Sequence, residues 1–290
     1  MLYITYNASG FHNDGLGAQY QRMIAIFSLC HYLKSNIEYV HSPITKIEHI
    51  SSNEEIQQIE DFFGFSKTFK NVNDIQYDEC IELNVITDFK IIVEISKKCK
   101  EHSKKILLKT AIVFGIVEKY IYMYENAMIY LRTICLSSTN YSLNHYNTTG
   151  KDNKHGKDNK HGKNVAVHIR RGDVTTNTTN PDIMVRYTPT EYFKNIILYL
   201  QKEDPNRNFY IFTELTEQNK SEFDIFKNIP NLEIISNNNT LLTFQHLITA
   251  DILVTCKSSF SYISAFYNPN TIYYLPFWHK PLSYWKKLSL

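Results

Sequence analysis

The chain has 290 residues, long enough for two packed domains or one large one, and sets 31 Lys and Arg against 29 Asp and Glu. A formal charge of +2 and an isoelectric point near 8.1 give no footprint for a polyanion, so nucleic-acid binding is disfavoured and any anion site must be local. Five cysteines (Cys30, Cys80, Cys99, Cys135, Cys256) are scattered and odd in number, which fits a reducing compartment and excludes a zinc knuckle.

Residues 2–6 predict a strand, and with no basic segment or apolar run ahead of it no signal peptide is expected, so the location is read as cytoplasmic. A polar loop with His12, Asn13 and Asp14 leads to Gly15-Leu16-Gly17. Tyr20, Met23, Ile24, Phe27, Cys30 and Leu33 then recur at helical spacing. Strand, glycine loop and helix form a phosphate or sugar cradle in many α/β proteins; the alternative is a tight turn packing helix on strand. Residues 37–40 predict a strand, 53–63 a helix with Asn53 as N-cap, and 85–86 part of a short strand. Residues 91–136 read as mostly helical, with charges on a solvated face. The apolar run 111–131 is interrupted by Glu118, Lys119 and Glu125, which predicts a buried helix and no membrane span.

Residues 147–163 have a different character. The hexapeptide Gly-Lys-Asp-Asn-Lys-His stands at 150–155 and again at 156–161 with nothing apolar to bury, as in a loop or linker between domains. The expected organisation is therefore an α/β domain over 1–146, a low-complexity insertion over 147–163 and a second α/β domain over 164–290. In that second domain strands are expected at 164–169, 209–213, 232–235, 252–255 and, last, 271–275. Between them come a helix 191–201 capped by Thr190, one near 217–226, one at 241–248 and one at 258–267. Regular alternation of strand and helix predicts a parallel sheet.

The first of these strands ends in His168-Ile169-Arg170-Arg171-Gly172-Asp173. Two guanidiniums beside a buried strand are costly unless they meet something anionic, and phosphate fits their planar fork of donors. Alternation sends His168 and Arg170 one way and Ile169 and Arg171 the other, so the arginines do different jobs, with Arg170 the chosen ligand. The alternative is a pair of structural ion pairs, Arg171 with Asp173 and Arg170 with another carboxylate. Ligands of parallel sheets sit beyond the strands' carboxyl ends, where Arg170, Glu214 and Ser258 all fall. Ser258 and Ser259 also open a helix, which suits a diphosphate; Ser258 as a plain N-cap is the other reading.

Three motifs together resemble the GDP-fucose-dependent fucosyltransferase superfamily, most nearly its α-1,2 branch with some likeness to the α-1,6 type. They are Asp14-Gly15-Leu16-Gly17-Ala18-Gln19, His168 to Asp173, and Ser258-Ser259-Phe260-Ser261 after an apolar strand. The second matches the family's His-x-Arg-Arg-x-Asp fully.

The resemblance implies two Rossmann-like domains of the GT-B kind, the acceptor on the first and the donor nucleotide on the second. It implies donor binding by His168, Arg170, Arg171, Asp173, Glu214, Ser258, Ser259, Phe260 and Ser261, with Arg170 on the β-phosphate. The first loop, with Asn13, Asp14, Gly15, Gly17 and Gln19, and Arg186 are expected near donor or acceptor. The implied activity is inverting transfer of fucose from GDP-fucose to a galactose-bearing glycan. The sequence departs from the family at Ala18, at Tyr262 and Ile263, and at Thr243 and Gln245, where relatives carry a carboxylate for guanine.

No Asp-x-Asp occurs, so Arg170 is expected to stabilise the leaving diphosphate with no metal and no other cofactor. Asp182 and His12 are the candidate bases. A binding protein that has lost turnover, and a transferase using another donor or linkage, are the competing readings.

Overall fold

The computed structural model describes residues 1–9, 14–138, 163–176 and 179–289. His12, Asn13 and the repeated hexapeptide lie outside the described residues. The chain divides into two compact units, Met1–Asn140 and Tyr141–Leu290.

In the first unit β1 (Leu2–Tyr6), α1 (Leu16–Leu33) and β2 (Ile37–Tyr39) are followed by α2 (Asn53–Phe63), α3 (Phe65–Thr68), β3 (Glu79–Glu82) and α4 (Phe89–Glu101). Next come β4 (Ile106–Thr110), α5 (Phe114–Lys119) and α6 (Tyr122–Ser138). The sheet is parallel throughout in the order β2-β1-β4-β3.

Several expectations are corrected here. The N-cap of α2 is Ser52, whose hydroxyl accepts from the Glu55 N–H at 3.3 Å, and not Asn53. The strand expected at 85–86 lies earlier, at β3, and Val85 makes only an isolated bridge to Ile112. β3 is an edge strand exposed along most of its length, so it lacks an apolar signature. The stretch 91–136 is mostly helical as expected, through α4, α5 and α6, but it also contains β4, a central strand with Leu107 and Leu108 fully covered. A continuous apolar run buried on both sides has no period to separate it from a buried helix. The apolar run after it is not one helix: α5 ends at Lys119 and α6 begins at Tyr122. No helix among the described residues is long and apolar enough to cross a membrane.

The second unit holds β5 (Asn164–His168), α7 (Pro181–Met184), α8 (Thr190–Glu203) and β6 (Asn208–Thr213). It continues with β7 (Leu232–Ser236), α9 (Thr240–Thr249), β8 (Ile252–Val254), α10 (Ser259–Tyr267), β9 (Thr271–Tyr274) and β10 (Lys286–Lys287). Thr190 is the first residue of α8, and Pro189 is its cap. The helix expected near 217–226 is a 3-10 helix at Lys220–Phe226. β10 adds a strand beyond the one expected to be last.

This sheet too is parallel, in the order β10-β9-β8-β5-β6-β7. The expected α/β class is thus present, with parallel sheets in both units. The order runs outward in both directions from the β5/β8 pair, as in doubly wound nucleotide-binding sheets. Connections leave β5 and β8 toward opposite sides, which opens a crevice at their carboxyl ends. Val165, Val167, Phe209, Ile211 and Val254 form the core beneath that crevice, together with Phe193 and Ile197 of α8.

Candidate functional site

Three loops leave the carboxyl edge of the second sheet around the β5/β8 crevice: residues 169–173 after β5, 214–219 after β6 and 255–258 after β8. The Ile169 N–H still pairs with the Phe212 carbonyl at 3.0 Å, so the strand geometry continues one residue past β5 and the alternation holds. Ile169 and Arg171 are buried, while His168 and Arg170 are partly exposed.

The two arginines divide their work, and their carboxylate partners are the reverse of the ion-pair alternative. Arg171 is sunk, with Nε on Glu222 at 3.0 Å, Nη1 on the Arg170 carbonyl at 2.9 Å and Nη2 on the Thr188 carbonyl at 2.9 Å. Its plane lies 4.5 Å from the Tyr187 ring, and the Tyr187 hydroxyl donates to the same Glu222 oxygen at 3.3 Å. Arg171 is therefore a brace that ties its own loop to the segment before α8 and to the 3-10 helix. Each edge of its fork is already engaged inside the protein.

Arg170 is held differently. Its Nε and Nη2 meet the two oxygens of Asp173 at 3.3 and 2.7 Å, a bidentate pair at a partly exposed side chain. Its Nη1 has no partner among the described residues. Asp173 thus orients the fork and leaves one edge of it for an anion. Between them Gly172 has φ +80°, and a Cβ there would lie 2.2 Å from a carboxylate oxygen of Glu214. The positive φ favours glycine, and any Cβ there would displace the Glu214 side chain. The Glu214 carboxylate therefore rests on the arginine loop, and the Glu214 carbonyl is held by Asn219 Nδ2 at 3.1 Å.

The β8 loop is locked by its serines. The Ser258 hydroxyl caps α10 by accepting from the Phe260 N–H at 3.2 Å. Ser261 Oγ accepts from the Cys256 N–H and lies 3.2 Å from both the Cys256 and Ser258 carbonyls. Both side chains are buried and engaged, whereas Lys257, Ser259 and Phe260 are partly exposed at the helix start. Lys257 has no ion-pair partner among the described residues; it is a cation in a motif read only for its serines.

His168 joins the first loop to the third. Its Nδ1 is 3.2 Å from Cys256 Sγ and its ring centroid 5.5 Å from that of Phe260. Burial, with help from the Arg170 charge, lowers the imidazole to about 3, so it is neutral near pH 7. Burial also raises the Cys256 thiol, which stays protonated.

The remaining expected residues have other surroundings, and some are braces. Asp182 is exposed on α7, and its side chain makes no hydrogen bond among the described residues. The Arg186 guanidinium lies 5.3 Å from the ring centroid of Trp278, a half-exposed residue that no motif flagged. In the first unit Gly15 caps α1, Gly17 is buried in its first turn, and Asp14 pairs with Arg22. Gln19 Nε2 donates to the Asp14 and Lys46 carbonyls at 2.8 Å each, holding the glycine loop to the 46–48 segment. A depression of about 390 Å³ lies at the other end of α1, lined by Phe27, His31, Lys34, Lys70 and Tyr130, and no motif residue reaches it.

No family model and no curated protein matches the chain. Among solved structures it is similar to the Escherichia coli heptosyltransferase WaaC with ADP-2-deoxy-2-fluoro heptose, at 9% identity, over 99% of this chain and 93% of that one, with a TM-score of 0.42. POFUT1 in complex with GDP-fucose is similar at 10% identity, over 93% and 97% of the two chains, with a TM-score of 0.46. The S. aureus MnaA-UDP structure is similar at 12% identity, over 95% and 79%, with a TM-score of 0.38.

Proposed function

We propose that the protein is a glycosyltransferase that binds a nucleoside diphosphate sugar in the β5/β8 crevice, with GDP-fucose as donor. In this reading it inverts the anomeric centre and forms α-1,2-linked fucose on a galactose-bearing glycan. The observation that carries the reading is Arg170: a guanidinium at the switch point of a doubly wound sheet, oriented by Asp173 and open along one edge. The full His-x-Arg-Arg-x-Asp motif supports it independently.

A departing diphosphate gathers negative charge in the transition state, and a preorganised donor aimed at that charge lowers the barrier. Arg170 supplies this to the β-phosphate, and Lys257 with the N–H groups at the start of α10 adds a second positive end. Arg171, fixed by Glu222 and the Thr188 carbonyl, keeps the loop that carries Arg170 in place. The Glu214 carboxylate lies against the same loop. The proton of the acceptor hydroxyl is assigned to Asp182, with His12 as the alternative. No metal is required in this proposal.

The test is incubation with GDP-fucose and a galactose-terminated oligosaccharide in EDTA, following GDP and fucosylated product together. Product under these conditions is the expected result. GDP release without product keeps the donor and rejects the acceptor. The absence of both, with no GDP binding by calorimetry, overturns the donor assignment.

A further inference from the structure

Two side chains 88 positions apart meet at the bottom of the crevice: His168 at the end of β5 and Cys256 just after β8. One arrangement of their hydrogens is favoured over the other. Ser261 Oγ has one hydrogen, and two carbonyls at 3.2 Å compete for it. The Cys256 sulfur is 3.6 Å from that hydroxyl but 3.2 Å from His168 Nδ1, and an imidazole nitrogen is the stronger acceptor. A neutral thiol is a weak acceptor, so S–H to Nδ1 is favoured over Nδ1–H to sulfur. A neutral imidazole that accepts at Nδ1 carries its proton on Nε2. Nothing among the described residues accepts from that nitrogen, and Arg170 stands two residues along on the same side.

We infer that Cys256 is a positioning residue that holds His168 as its Nε2–H tautomer, giving the crevice a neutral hydrogen-bond donor for the diphosphate beside the charged one from Arg170. The inference rests on the nucleotide reading above for the identity of the acceptor, but not for the tautomer. Phe260 packs against the same ring, so the donor direction is set by the helix start as well as by the thiol.

The test has a part that needs no nucleotide. Long-range proton–nitrogen NMR of the unliganded protein labelled at histidine is expected to show His168 protonated at Nε2 and unprotonated at Nδ1; the opposite assignment overturns the inference. GDP affinity is then measured by calorimetry for wild type, Cys256→Ala, Cys256→Ser and His168→Gln. Cys256→Ala is expected to weaken GDP by about two- to tenfold, the range of one ordinary hydrogen bond. Cys256→Ser, which still donates, and His168→Gln, whose amide reaches the Nε2 position, should each recover much of that loss. A serine variant as weak as the alanine one means that the thiol only fills space, and overturns the positioning role. Wild type with the Nε2–H tautomer but no affinity for GDP overturns the nucleotide reading and the diphosphate role with it, leaving the tautomer assignment standing.

Discussion

Each unit pairs a carboxylate with a nitrogen-bearing side chain, Glu60 with His41 and Glu222 with Arg171, yet the two arrangements differ in what they leave over. In the first unit Glu60 is almost wholly covered, and both its oxygens are fully engaged. Tyr20 and the Ile44 N–H reach one at 3.0 and 3.2 Å, and His41 and Ser66 reach the other at 2.8 Å each. His41 is closed on its far side by Tyr39 at 3.2 Å. That network pins α2 to the end of β2 and has no group left for a ligand. In the second unit Arg171 is just as fully engaged, but Arg170 beside it keeps an open edge and His168 an open nitrogen. Charge and burial alone do not separate a brace from a ligand; the donors left over do.

The largest effect expected on this comparison comes from Arg171→Ala, which leaves Glu222 only the Tyr187 hydroxyl and takes the guanidinium from two carbonyls. It should destabilise by about 3–5 kcal/mol, because a buried side chain packed on Tyr187 is lost together with its hydrogen bonds to Glu222 and two carbonyls, visible as a lowered denaturant midpoint. A variant with wild-type stability would remove the distinction between the two arginines.

Arg170→Ala should do the opposite. Turnover falls about a hundredfold or more, corresponding to roughly 3 kcal/mol of barrier, while melting stays close to wild type, because a partly exposed pair contributes at most about 1 kcal/mol. Comparing initial rates and thermal melts of the two variants separates the roles directly.

Acid sharpens the contrast. Burial pushes the Glu60 carboxyl up, but the hydrogen bond and charge of His41, with Ser66 and the Ile44 N–H, outweigh it, and the group sits below the usual carboxylate range. Its contribution is therefore present above the unfolded value of about 4.3 and lost as pH falls through the lower folded value. His168 has the other sign pattern for a cationic group: its folded value of about 3 lies below the ordinary 6.5, so the unfolded chain takes up the proton first. Stability on its account declines as pH falls from about 6.5 toward 3. Unfolding measured against pH should lose slope in the upper window in His168→Gln and in the lower window in Glu60→Gln. Equal slopes in all three proteins would contradict both assignments.

The smallest effect is at the helix start. Ser258→Ala removes the cap of α10 and should cost about 1 kcal/mol of stability. With the hydroxyl turned inward to Phe260 N–H, its loss should affect the melting temperature before it affects GDP affinity.

Much of the second unit was legible from sequence because its strands are short apolar runs punctuated by Asn, Pro, Gly or Ser. The alternation that buries Ile169 and Arg171 while exposing His168 and Arg170 could be read from the strand that precedes them. The first unit was less legible. In β4 the apolar residues run on into those of α5 and α6 with no polar period between, so a central strand looked like part of a helix. β3 failed for the opposite reason, since an exposed edge strand of Glu-Cys-Ile-Glu carries no apolar signal.

Sequence alone determined where the charged strand end falls and that strand and helix alternate after residue 164. These are local properties, set by steric limits on each residue and by the two- and 3.6-residue periods. Tertiary structure decided which arginine is the brace and which is open, because Glu222 is 51 positions from Arg171 and Asp173 is close enough to serve either. It also brought Cys256 to His168 across 88 positions and Trp278 to Arg186. Direction along a strand follows from the backbone, but partnership depends on which strands lie side by side, and only the packed β5/β8 pair fixes that.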